Sequence, residues 1–118
     1  MSRLGSQQRI KILRGEVLYA LFLFAAGLDD KPLYPDAPWR LPERALKLTL
    51  EGLHQLPSND ELESILRYLS APGKEYLQVA WRNDGRGGFE YAEITARGID
   101  LCNGDISDPG VAFPRRGR

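Results

Sequence analysis

The sequence predicts a mainly α domain with one β-hairpin, an α+β fold, from three observations. Apolar residues recur at helical spacing as far as Ser70, and the period changes to two after Gly73. The run "RNDGRGG" (Arg82–Gly88) then separates two strand-like segments with residues that tolerate positive φ. At 118 residues, 42% of them hydrophobic, the chain suits one core rather than two. Residues 1–103 read as the domain and residues 104–118 as a Gly/Pro/Arg-containing tail.

The first helix is expected from about Ser6 to Leu28, because "SQQRIKILRGEVLYALFLFAAG" lacks proline and ends in a glycine suited to a C-terminal stop. Its second half is apolar on most sides, which suits a central helix or one that also meets a partner chain. Pro32, Pro35, Pro38 and Pro42 then impose an extended loop, with Tyr34 and Trp39 expected to pin it to the core. A second helix is expected from Pro42, tolerated in the first turn, to Leu56, with Leu46, Leu50 and Leu53 at helical spacing. It stops at Pro57. "SNDE" follows, in which Ser58 and Glu61 form a capping box, and Leu62, Ile65, Leu66 and Leu69 supply an i, i+3, i+4, i+7 stripe. Two helices joined by so short a connection make a helix-turn-helix candidate.

The strands are "YLQVAW" (Tyr76–Trp81), with Leu77, Val79 and Trp81 on one face, and "FEYAEI" (Phe89–Ile94). Thr95 then caps a short helix to about Asn103, with Gly98 allowing a close approach and Ile99 and Leu101 available to the core. From Gly104 the chain reads as extended.

Sixteen basic and sixteen acidic residues cancel, so no global cationic field draws the chain to nucleic acid. Residues 29–72 hold eight acidic groups against five basic ones, which makes the middle of the chain the acidic part. A lone Cys102 excludes an intramolecular disulfide and a thiolate metal cage, and it suits a reducing cytoplasm. "VLYALFLFAAGL" has some of the shape of a signal peptide, but Glu16 abuts it. Its twelve residues fall well short of the ~20 that cross a bilayer. A buried helix and no membrane partner is the reading preferred.

In its order of helix, loop, helix, short turn, helix, hairpin and helix, the chain resembles a winged helix-turn-helix domain. "EITARGIDL", "SNDELESILRYL" and "DPGVAFPRR" together resemble the small winged-helix proteins of Mu-like prophages. That resemblance implies a long first helix, a helix-turn-helix pair, a two-stranded wing and a small phage protein without enzymatic activity. It also implies DNA contact through the third helix, where the residues depart from the pattern. Asn59, Asp60, Glu61 and Glu63 occupy its first turns, with Arg67 its one cation. Carboxylates there would face phosphates.

The residues able to touch nucleic acid are therefore Asn59 and Arg67 on the third helix, Arg82 and Arg86 flanking the wing, and Arg115 and Arg116 in the tail. Exposed arginines more often solvate a surface, and three tail cations give only a weak, salt-sensitive contact. His54 has no nominated nucleophile or orienting carboxylate. "DGRGG" joins two strands, whereas a phosphate-cradling loop leads from a strand into a helix. Asp29, Asp30 and Asp36 follow no calcium-loop spacing. The expectation is no catalytic residue, no cofactor and no metal. Two functions remain: a protein-interaction or assembly module, with a protein partner or a second copy meeting the first helix, or a DNA-binding regulator that uses the wing and tail arginines.

Overall fold

A computed structural model describes residues 3–26, 39–52, 57–85 and 87–113. The described chain is α+β, with helices α1 (Arg3–Ala26), α2 (Glu43–Gly52), α3 (Asn59–Ser70) and α4 (Ala96–Asn103). Strands β1 (Arg40–Pro42), β2 (Leu77–Trp81) and β3 (Phe89–Ile94) form one antiparallel sheet in the order β1-β3-β2.

The third strand corrects the expectation of a two-stranded wing. Arg40, Leu41 and Pro42 pair with Glu93, Ala92 and Tyr91, so Pro42 closes β1 and α2 starts at Glu43. Trp39 corrects a second one: at 42% exposure it is not buried in the core. Tyr34, the other three prolines of that loop, His54, Leu53 and the acidic set of residues 29–36 lie outside the described residues.

Local chemistry accounts for α3. The Ser58 hydroxyl accepts from the Glu61 N–H at 3.2 Å, and the Glu61 carboxylate accepts from the Ser58 N–H at 3.1 Å, which completes the capping box. Leu62, Ile65, Leu66 and Leu69 are all buried, and α3 packs on α1. Around α1, its own residues Leu13, Val17, Leu18 and Leu21 join Leu46 and Leu50 of α2, Leu77 of β2 and Leu101 of α4 in one core.

The β3–α4 junction is as tight as its sequence suggests. The Thr95 hydroxyl accepts from the Gly98 N–H at 3.1 Å and donates to the Glu75 carbonyl at 2.7 Å. A Cβ on Gly98 would collide with the Tyr76 carbonyl oxygen, so the helix can approach the sheet only with glycine there. Thr95→Ala removes both bonds and is expected to cost about 0.5–2 kcal/mol. A urea midpoint unchanged by that substitution would show that the cap contributes nothing.

Residues 104–113 form turns and irregular chain rather than helix or strand, and they are fastened to the core. The Ala112 N–H donates to the Lys11 carbonyl at 3.0 Å, and Gly15 leaves no room for a Cβ against Ala112. Asp108 is buried and accepts from the Tyr76 hydroxyl at 2.7 Å, the Gly110 N–H at 2.7 Å and the Tyr68 hydroxyl at 3.0 Å. Lys74 Nζ lies 3.0 Å from the same carboxylate. Arg14 stacks 3.7 Å over the Tyr68 ring and donates to the Gly110 carbonyl.

Candidate interaction surface

Three elements converge where the sequence places its candidate contacts. Glu43 opens α2, where the helix dipole favours a carboxylate, and its side chain faces the base of the β2–β3 hairpin. Its Oε1 accepts from Arg82 Nη1 at 3.0 Å, and its Oε2 lies 3.4 Å from Lys47 Nζ one turn on. Lys47 in turn donates to Asn59 Oδ1 at 2.9 Å. The result is a continuous chain, Arg82–Glu43–Lys47–Asn59, that ties hairpin, α2 and the start of α3 together.

One turn further along α3, Glu63 Oε2 accepts from Arg67 Nη2 at 2.9 Å and from Arg67 Nε at 3.0 Å. The Arg67 guanidinium lies 4.2 Å over the Trp81 ring, so the same side chain reaches β2. A shallow hollow of ≈ 210 Å³ separates the two ion-pair groups, lined by Glu43, Lys47, Asn59, Glu63 and Arg82. On the other side of the helix start, Arg9 of α1 pairs with Glu61. That bond and the Ser58 N–H hold the Glu61 carboxyl below its ordinary pKa.

The structure thus brings Asn59, Arg67 and Arg82 onto one surface, while Arg86, Arg115 and Arg116 lie outside the described residues. Among the described residues, Glu43, Asp60, Glu61 and Glu63 offset Arg9, Lys47, Arg67 and Arg82, four against four, so these eight side chains together carry no net charge. The Arg67–Glu63 pair is exposed and worth only about 0–1 kcal/mol, so a phosphate could break it. The obstacle is the carboxylate then left facing that phosphate.

Sequence reasoning missed Glu43 and Lys47 as members of this surface, although their i, i+4 spacing at a helix start was readable. It also missed the Asp108 cluster, whose partners lie 32 and 40 residues away.

Among the described residues no group of three or more His, Cys, Asp or Glu side chains could hold a metal ion, and Cys102 is buried. No described helix is long and apolar enough to cross a membrane. The outer face of α1 presents Ile12 and Leu23, 36% and 47% exposed. They stand eleven residues apart, which is about three helical turns and returns them to one side. Comparison of the chain with protein-family models, curated proteins and solved structures finds no match in any of the three.

Proposed function

We propose that the chain is a non-enzymatic protein-interaction or assembly module built on a winged-helix scaffold of the kind resembled by the small prophage proteins. The element order α1-β1-α2-α3-β2-β3-α4 and the sheet order β1-β3-β2 support the scaffold: a helix-turn-helix candidate is followed directly by a hairpin whose second strand is central. One observation carries the choice of protein over DNA. Both described arginines of the expected DNA face, Arg67 and Arg82, are held by carboxylates, Glu63 and Glu43. The exposed Ile12 and Leu23 on α1 offer the apolar contact that a protein partner or second copy would use.

The competing reading, a DNA-binding regulator, draws on the same scaffold and on Arg82. Titration of labelled duplexes across a salt series separates the two. Specific readers reach about 10⁻⁸ to 10⁻¹¹ M at physiological salt. The expected result is no binding in that range, with weak low-salt association that fades steeply as salt rises and strengthens when Asp60, Glu61 and Glu63 are neutralised. Nanomolar, sequence-selective binding by the unaltered chain would establish the regulator instead. Sedimentation of the chain and its Leu23→Asp variant tests the α1 contact: loss of association in the variant is expected, and a monomer in both removes α1 as a dimer surface.

A further inference from the structure

Residues 106–113 cross the molecule without entering its core. Among the described residues, none of the buried apolar side chains of the core comes from this segment, and Ile106, Val111 and Phe113 pack against it only half-buried. A single backbone hydrogen bond, from the Ala112 N–H to the Lys11 carbonyl, ties the segment to another described element, since the Val111 N–H turns back to the Asp108 carbonyl. The four helices and the sheet therefore keep all their own helix and ladder bonds if the segment lifts. Gly104, where the chain leaves α4, supplies a pivot: it is exposed, its φ is 83°, and a Cβ there would meet no atom within 4 Å.

What holds the segment shut is polar and centred on one side chain. The Asp108 carboxylate draws on Tyr68 of α3 and on Lys74 and Tyr76 ahead of β2, while Arg14 of α1 donates to the Gly110 carbonyl. Opening exchanges these bonds for bonds to water, whereas lifting a helix exposes leucines that water cannot compensate. The seat is also narrow. Gly15 leaves no room for a Cβ against the Ala112 carbonyl, and Gly110 none against the Tyr68 hydroxyl. Along the side of α1 that the segment covers, Lys11, Gly15 and Phe22 follow at i, i+4 and i+11.

We infer that residues 106–113 are a releasable strap. The protein passes between a closed form and an open one in which the strap turns away about Gly104 while the four helices and the sheet stay folded. Few buried apolar contacts, one backbone bond and a polar lock are the marks of a segment that opens below the cost of unfolding. The open form bares Gly15 and the Lys11 carbonyl, with Phe22 two turns on along the same side of α1. That side lies about a quarter-turn round the helix from Ile12 and Leu23, so the strap governs whether α1 offers one face or two. The inference goes beyond the protein-interaction reading and needs no partner to hold.

The test is native-state amide exchange on the full chain, across a urea series below the unfolding midpoint. In the wild type the Val111 and Ala112 amides are expected to exchange at least about tenfold faster than the Leu66 amide of α3. Their urea dependence is expected to be shallower, because opening the strap exposes less surface than unfolding does. Gly15→Ala then separates strap from core. Alanine is the better helix former, yet its Cβ takes the place of the Ala112 carbonyl oxygen. Val111 and Ala112 should fall to within about threefold of unprotected rates while Leu66 stays protected at least about a hundredfold. Three results each overturn the inference: equal urea slopes for strap and core in the wild type, loss of Leu66 protection together with the strap in Gly15→Ala, or strap amides as protected in that variant as before.

Discussion

Replacing Leu66 with alanine is expected to destabilise the protein by about 2–5 kcal/mol, the cost of deleting a buried leucine and leaving its cavity. Leu66 has no exposed surface and sits mid-stripe on α3, between Leu62 and Leu69, on the face that packs on α1. Its neighbours come from two helices that are themselves fixed by further partners, so the site has little freedom to collapse. Leu48 provides the internal comparison. It lies on α2 and is 60% exposed, so Leu48→Ala should move the midpoint by no more than about 0.5 kcal/mol. Urea denaturation followed by far-UV circular dichroism measures both. Equal effects at the two positions would mean that α3 is not seated as described, and the packing of the helix-turn-helix pair would have to be redrawn.

Asp108 is the second large effect, and it depends on pH. Burial alone would raise its carboxyl pKa. The hydrogen bonds from Tyr76, the Gly110 N–H, Lys74 and Tyr68 outweigh that and hold it well below the ordinary carboxylate range. A depressed folded-state pKa stabilises the protein fully above the unfolded value of ~3.9 and loses that contribution as pH falls toward the folded value. The wild-type midpoint should therefore drop between about pH 4 and pH 2 by more than that of Asp108→Asn. Glu16 works in the opposite sense, since burial raises its carboxyl and protonation relieves the cost. The comparison with Asp108→Asn isolates one from the other. At neutral pH, Asp108→Ala strands the hydroxyls of Tyr68 and Tyr76, each at about 1–3 kcal/mol if left unpaired, and frees Lys74. Lys74 is partly exposed and regains water, so the two hydroxyls set the total, roughly 2–6 kcal/mol. An acid profile identical in wild type and Asp108→Asn would remove the carboxylate from its assigned place.

What could be read from the sequence was local. The Ser58–Glu61 box, the Leu62-to-Leu69 stripe, the hairpin and the Thr95 cap each depend on residues a few positions apart, and each stands where its spacing placed it. β1 was hidden because three residues carry no period and because Pro42 is equally at home at a helix start. Only pairing with β3, half the chain away, decides between the two. The interaction surface was half legible. Asn59, Arg67 and Arg82 were nominated by type, but Glu43 neutralises Arg82 across 39 residues, and no local pattern announces such a pair. Asp108 lay within the stretch read only as an extended tail, for the same reason.

The bond between Ala112 and Lys11 has a consequence for synthesis on the ribosome. The Gly15 side of α1 is closed by a segment made about a hundred residues later. At about 5–20 residues per second, translation leaves that interval open for roughly 5–20 s. During it the nascent chain carries a largely apolar helix with one flank bare, a target for hydrophobic-binding chaperones. The domain completes its fold only once residue 112 has cleared the exit tunnel.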